Sequence, residues 1–282
     1  MFSSLLIKNN GGNNPMDWGM KNRISKIIKP KDGRTVMLAV DHGYFMGPTT
    51  GLENINTMVD PLIPYADTLM LTRGALRNYI NPQTNIPIVL RVSGGTSILN
   101  KDHLLHEGTV VDIDDAIRLN VSGVAFSILV GQSFERDTLL GMTNYIDQCE
   151  RYGIPVLAVT AVGRGLGKDA KYLSLASRMA AELGAHIVKT YFCKDFEKVI
   201  ETCPVPVVIA GGKKQPEKDA LQMAKDALEA GAIGVDMGRN IFQSKSPVGM
   251  IKAVNGIVHK KMTMKEAYEV FQGNSNKKSA ET

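Results

Sequence analysis

Cysteine is scarce in this chain of 282 residues: there are three, Cys149, Cys193 and Cys203, and no CxxC pair. Three thiols cannot all be bridged to one another, and their spacing offers neither a disulfide framework nor a zinc site, so a reduced, cytoplasmic setting is expected. Long hydrophobic runs are missing too. The run 124–130 has a serine inside it and falls far short of the roughly 20 apolar residues that a membrane helix needs, so no membrane association is expected. No positive charge precedes Leu5-Leu6-Ile7, and that stretch is too short for a secretory leader. Charge is not piled up in one sign. Thirty-three Lys and Arg against 28 Asp and Glu leave +5, and the basic residues fall in doublets (Lys213-Lys214, Lys260-Lys261, Lys277-Lys278) rather than in a stripe. Without a basic stripe or a recognisable module, nucleic acid is not an expected partner; a mild positive excess suits small phosphorylated substrates. Linkers, low-complexity tracts and close repeats are absent between a Gly/Asn-rich opening, 1–15, and a polar end, 273–282. Both ends read as flexible tails, which leaves 16–272 as a single domain.

What the chain does have is alternation. Eight short apolar runs recur, at 36–40, 68–71, 86–92, 124–129, 155–160, 186–191, 205–210 and 233–237. Most are continuously apolar rather than alternating, the mark of parallel strands covered on both faces. Between several of them lie helical stripes: Leu139, Met142, Ile146 and Cys149; Tyr172, Leu175, Ala176, Met179, Ala180 and Leu183; Leu221, Ala224, Ala227 and Leu228. Gly184 and Gly231 stand where left-handed helix ends are expected, and Asp114 and Pro216 at helix starts. Eight strand–helix units within about 250 residues predict an α/β fold of the (β/α)8 barrel type. An open doubly wound sheet is the alternative, disfavoured because no GxGxxG follows the first run.

A barrel of this type carries its active site at the C-terminal strand ends, so the polar residues there are the candidates. Lys189 interrupts the apolar run 186–191. Burial favours its neutral amine, the nucleophile that forms a Schiff base with a ketone; a lysine merely paired with a carboxylate is equally compatible. Asp41-His42-Gly43 ends the first run, where a carboxylate or imidazole can move protons, or where Asp41 simply caps a turn. Strand seven ends in Ala210-Gly211-Gly212-Lys213-Lys214 and strand eight in Asp236-Met237-Gly238-Arg239-Asn240. Loops after these two strands often bind phosphate in such barrels, so Gly211, Gly212, Lys213, Gly238 and Arg239 are the expected phosphate ligands. Arg73-Gly74, Ser93-Gly94-Gly95, Thr160 and Arg164 are weaker candidates that more often cap turns. His103, His106 and Glu107 lack a partner cluster and read as surface loop, so no metal is expected. Trp18 and Met20 are expected to cover the barrel bottom or an interface, and Cys193, with no histidine beside it, reads as a structural thiol.

Asp41-His42-Gly43 after the first strand, Lys189 in the sixth, Gly211-Gly212 after the seventh and Gly238-Arg239 after the eighth together resemble the class I aldolase family that includes the archaeal-type fructose-bisphosphate aldolases. The resemblance runs over residues 16–271. It implies a Schiff base on Lys189, proton handling by Asp41 or His42, no permanently bound cofactor, and a homo-oligomer, a ring of ten subunits. Longer stretches (MDWGM at 16–20, VMLAVDHGYFMGPTT at 36–50, IVKTY at 187–191, GVDMGRNIFQS at 234–244) resemble a thiolase branch of that family. That branch implies a small phosphorylated diketone as substrate and coenzyme A as co-substrate, in the breakdown of the quorum-sensing signal autoinducer-2. One departure matters: the true aldolases of the family carry a tyrosine acid/base at the end of strand five, and Ala161 stands near that position here. A sugar-phosphate aldolase or related synthase is the runner-up, and a non-catalytic sugar-phosphate-binding regulator a third reading.

Overall fold

Covered on both faces, the apolar runs can form strands with no polar side. In the computed structural model, which describes residues 17–100, 103–104, 106–162 and 167–279, they become β1 (Thr35–Ala39), β2 (Thr68–Thr72), β3 (Ile88–Arg91), β4 (Gly123–Val130), β5 (Val156–Val162), β6 (Ile187–Tyr191), β7 (Val207–Ala210) and β8 (Gly234–Met237). All pair in parallel with their chain neighbours, and β8 pairs with β1 in the register Thr35↔Gly234 to close the barrel. The chain is thus a (β/α)8 barrel. At the seam the strands run so close that a Cβ on Gly234 would lie 1.9 Å from the Thr35 carbonyl oxygen.

Alternation along each strand divides the core in two. Met37, Ala39, Met70, Val89, Ala125, Leu157, Ile187 and Val208 point inward and pack with one another. Val36, Leu38, Leu69, Leu71, Leu90, Val124, Phe126, Val188 and Ile209 point outward, beneath the helices. The helix Trp18–Ile27 plugs the bottom of the inner core. Asp17 caps it, accepting from the Met20 N–H at 2.6 Å, and Met20, Ile24 and Ile27, one face at helical spacing, are buried against the inward side chains. Each such burial contributes roughly 1.5–3 kcal/mol. Met20 therefore covers the barrel bottom as expected, but Trp18, on the opposite face of the same helix, is 78% exposed.

The outer helices follow the expected stripes with one rotation. Met142, Ile146 and Cys149 are buried on the helix Glu135–Arg151. Leu221, Ala224, Ala227 and Leu228 are buried on Glu217–Glu229. On Ala170–Glu182, however, the buried face is Leu173, Ala176, Ser177 and Ala180, and Leu175 is left exposed. Gly184 and Gly231 adopt positive φ. Asp112, rather than Asp114, caps Ile113–Arg118. The last helix, Met264–Ser279, continues past residue 272, where the sequence led us to expect a frayed tail. Asn274 accepts from Lys252 Nζ at 3.0 Å and donates to the Val270 carbonyl at 2.7 Å, which ties this segment to the preceding helix Pro247–Lys260. No helix among the described residues is long and apolar enough to cross a membrane.

Candidate active site

Continuing the inward positions toward the C-terminal strand ends replaces apolar side chains by polar ones: Asp41, Arg91, Ser127, Lys189 and Asp236 line a single cleft of about 750 Å³, open mouth included. Lys189, on β6 two residues beyond the inward Ile187, is only 7% exposed. Its Nζ lies 2.9 Å from Asp236 Oδ2 on β8. The two form an ion pair, and among the described residues neither Asp236 oxygen has any other hydrogen-bond partner. Burial pushes the Asp236 carboxyl up, and the Lys189 charge only partly offsets it. The carboxylate partner that the sequence left open for Lys189 is therefore present, inside the cleft rather than away from it.

Asp41 sits on the other side of the cleft. Arg91 Nε and Nη2 both reach its Oδ2 at 2.9 Å. Burial raises the Asp41 pKa, but Arg91, His42 and Lys189 outweigh burial and hold it below the usual carboxylate value. His42 goes the opposite way from a physiological base: burial first, then the Lys189, Arg239 and Arg91 charges, bring it down to about 4 against the pull of Asp41. Its ring stands edge-on to Phe242 at 5.4 Å, with Nδ1 buried and unpartnered. At neutral pH the site thus holds a carboxylate at 41 and a neutral imidazole at 42.

Arg91 is itself held from behind. Its Nη1 donates to Ser127 Oγ. Ser93 Oγ donates to Glu107 Oε2 at 2.6 Å, and Tyr44 OH to Glu107 Oε1 at 2.5 Å, while the guanidinium lies 5.2 Å from the centre of the Tyr44 ring. Glu107 reaches this position because Gly108–Thr109 pairs antiparallel with Ser93–Gly94. It is 2% exposed, so the surface-loop reading is wrong for this residue. His106 stacks on Phe134 at 4.4 Å, as a loop side chain outside the cleft. Among the described residues no group of three His, Cys, Asp or Glu side chains is placed to hold a metal.

At the opposite end of the cleft, the ends of β7 and β8 supply Gly211, Gly212, Gly238 and Arg239. Gly212 has φ +70°, a conformation costly for any residue with a side chain. A Cβ on Gly238 would lie 2.4 Å from the Ala39 carbonyl and 2.5 Å from His42 Cε1, so only glycine lets β8 end against β1. Asn240, fully buried, staples the two loops: Nδ2 donates to the Gly211 and Lys213 carbonyls at 2.6 and 3.3 Å, and Oδ1 accepts from Gln215 N at 2.9 Å. Arg239 Nε is buried with no hydrogen-bond partner among the described residues, a donor open to a ligand. Lys213 is exposed beyond the cleft wall, and Lys214 turns away to Glu217. A cation the sequence did not flag stands nearby: Lys168 Nζ lies 3.5 Å from the centre of the Tyr191 ring, and burial, Lys213 and Arg239 lower its pKa. An anion held near these cations would relieve their mutual repulsion.

Of the weaker candidates, Arg73 is spent on Asp115 at 2.6 Å, and Thr160 donates to the Lys189 carbonyl at 3.3 Å. Arg164 lies outside the described residues. Cys193 is buried, and burial first, then nearby carboxylates, push its thiol pKa up, so it is not a ready nucleophile. Ala161 does line the cleft wall. The residues that sequence reasoning missed are Arg91, Asp236, Glu107, Tyr44 and Lys168. Arg91 and Asp236 carried a usable signal, a charge within an apolar run; the other three carried none.

Residues 35–244 match the DeoC/LacD family aldolases. The chain is 54% identical, over 91% of its length and 87% of the relative's, to 3-hydroxy-5-phosphonooxypentane-2,4-dione thiolase of Enterobacter sp. (strain 638). It is 51% identical, over 92% and 89%, to an uncharacterized aldolase of Pasteurella multocida (strain Pm70). Among solved structures it resembles an archaeal fructose 1,6-bisphosphate aldolase (TM-score 0.76, 24% identity, 86% of this chain and 99% of that one). It also resembles the fructose-bisphosphate aldolase of Slackia heliotrinireducens (TM-score 0.81, 20% identity, 95% and 96%). At these identities the two structures speak for the fold alone.

Proposed function

The chain belongs to the DeoC/LacD family aldolases and is an enzyme of class I aldolase fold, and from that premise we propose that it is a coenzyme A-dependent thiolase acting on 3-hydroxy-5-phosphonooxypentane-2,4-dione through a Schiff base on Lys189. The observation that carries this reading is the single buried lysine in a cleft that ends in an anion-receptive wall: Lys189 faces the same space as Gly212, Gly238 and Arg239. Identity above 50% to a relative named for that activity supports the choice of substrate.

In this reading the substrate phosphate rests against Gly211, Gly212, Gly238 and Arg239, with Lys213 and Lys168 adding charge from the rim. Lys189 attacks the ketone next to the phosphorylated carbon, and loss of water gives an iminium. The thiolate of coenzyme A adds to the distal acetyl carbonyl. The bond from that carbonyl carbon to the hydroxyl-bearing carbon breaks, acetyl-CoA leaves, and the iminium takes up the electron pair as an enamine. A proton then returns to the hydroxyl-bearing carbon at the Asp41–His42 side of the cleft, and hydrolysis frees dihydroxyacetone phosphate. The proton lost by the thiol equals the proton gained by carbon.

The test is release of dihydroxyacetone phosphate from the phosphorylated hydroxydione, with and without coenzyme A, using Lys189→Met as control. Coenzyme A-dependent release by the parent chain and background rates in Lys189→Met are expected. Retro-aldol cleavage of fructose 1,6-bisphosphate with no reaction on the hydroxydione would replace this reading by that of a sugar-phosphate aldolase.

A further inference from the structure

Forming an iminium from a lysine and a ketone moves protons twice at one place. The ammonium must give up a proton before nitrogen attacks, and the carbinolamine oxygen must gain one before it leaves as water. Something within reach of Lys189 Nζ has to take the first and return it. The cleft offers few groups. Asp41 accepts two N–H groups of Arg91 on Oδ2 and is held ionised. His42 is neutral, and its Nδ1 lies 3.7 Å from Asp41 Oδ1, on the β1 side. Tyr44 spends its hydroxyl on Glu107, and Thr160 spends its own on the Lys189 carbonyl. Burial raises the Tyr191 pKa, beyond what the Arg239 charge takes back.

Asp236 remains. It lies on β8 with its side chain in the barrel interior, 1% exposed. Its Oδ2 is 2.9 Å from Lys189 Nζ, and among the described residues neither of its oxygens has any other hydrogen-bond partner. A buried carboxyl in a native interior is normally satisfied. One whose partner is the reactive nitrogen alone can exchange a proton with it and has its second oxygen free for substrate. We propose that Asp236 is a catalytic residue, the group that takes the proton from Lys189 and returns it to the carbinolamine oxygen.

The step balances without an outside acid or base. Asp236 accepts one proton from the ammonium, giving a neutral amine and a carboxylic acid. The amine nitrogen bonds to the ketone carbon, and one N–H proton passes to the former carbonyl oxygen. The Asp236 proton then joins that oxygen, the C–O bond breaks, and water leaves. The iminium retains one N–H and its positive charge, facing an Asp236 that is again a carboxylate. The resting ion pair and the iminium ion pair carry the same net charge, so no charge is created in the buried site. The groups that act on Asp236 electrostatically are Lys189 from β6, Asp41 from β1 and Arg91 from β3; Asp41 and burial favour its protonated form, and the two cations oppose them.

This assignment rests on the Schiff base proposed above, and the experiment separates the two. The rate at which borohydride traps dihydroxyacetone phosphate on Lys189 is measured by mass in the parent chain and in Asp236→Asn, alongside the affinity of each for glycerol 3-phosphate, which has the phosphate but no carbonyl. Trapping in the parent chain, a fall of about 10²–10⁴-fold in Asp236→Asn, and unchanged glycerol 3-phosphate binding are expected. Trapping in Asp236→Asn at the parent rate overturns the role of Asp236 and leaves the Schiff base standing. Failure of the parent chain to be trapped overturns both. Where Asp236→Asn loses glycerol 3-phosphate binding, the decision passes to Asp236→Ala with added formate. Restoration of trapping by that external carboxylate supports the assignment, and no response to it overturns it.

Discussion

The two oxygens of Asp41 have different neighbours. Oδ2 takes both N–H groups of Arg91, and Oδ1 is left toward the cleft and His42. Burial pushes the pKa of this carboxyl up; the guanidinium, with His42 and Lys189, brings it down. Arg91→Lys keeps a charge but loses the fork that meets Oδ2 twice. With that hold weakened, the Asp41 pKa rises toward the ordinary carboxylate value. A group with a lowered pKa is ionised above that value and loses its charge as pH falls through it, so the acid limb of the pH–rate profile should move to higher pH. An unchanged acid limb would mean that Asp41 does not limit turnover on that side. Legibility at this scale follows from how a residue contrasts with its surroundings. Lys189 stands out as a charge within the apolar run 186–191, and Asp41 as the polar end of the run 36–40. Arg91 and Asp236 show the same contrast within 86–92 and 233–237. Glu107 shows none, because its burial is made by Tyr44 and Ser93, 63 and 14 residues away in the chain.

Among the elements, the helix Pro247–Lys260, which follows the last strand, shows how an outer helix is anchored to the sheet. Its His259 places Nδ1 2.6 Å from Asp32 Oδ2 and Nε2 2.6 Å from Asp67 Oδ2. Asp67 in turn accepts the N–H of Val36, in β1, at 2.7 Å. Two carboxylates on one ring require both nitrogens to donate, so the imidazolium is the bound form. Burial opposes that charge, but the two hydrogen bonds outweigh it and hold the His259 pKa above its usual value. A raised pKa contributes stability that is complete below the unfolded value of about 6.5 and is lost as pH climbs through the folded one. The melting temperature should therefore fall between pH 6 and pH 9, and His259→Gln should flatten that fall while lowering stability at pH 6. A pH dependence identical in the two proteins would show that this pair of contacts does not anchor the helix. The strands themselves were readable to within two residues at either end, since burial on both faces leaves a continuous apolar run. Helical stripes were less so. Leu175 has the right chemistry for the buried stripe of Ala170–Glu182, but packing turns Leu173 inward instead, and only the neighbouring elements decide which apolar face wins.

At the scale of the molecule, the barrel was legible because eight apolar runs separated by helical stretches leave few other ways to cover both faces of every strand. Its layers were not legible: which parity faces inward depends on register across strands far apart in sequence. That distance has a kinetic consequence. The helix and strand contacts between neighbouring units are local, whereas the pairing of Thr35 with Gly234 joins points roughly 200 residues apart, and contacts that enclose long loops form late because their entropy cost precedes their reward. Asp41 and Asp236 stand on the two strands of that seam, with Lys189 two strands further round the sheet. On dilution from denaturant, far-UV ellipticity should recover ahead of glycerol 3-phosphate binding and of borohydride trapping at Lys189; simultaneous recovery would show that closure is not the last event. A chain stalled with the seam open would have most of its secondary structure but a divided reaction centre, so catalytic competence serves as the molecule's own report that its ring has closed.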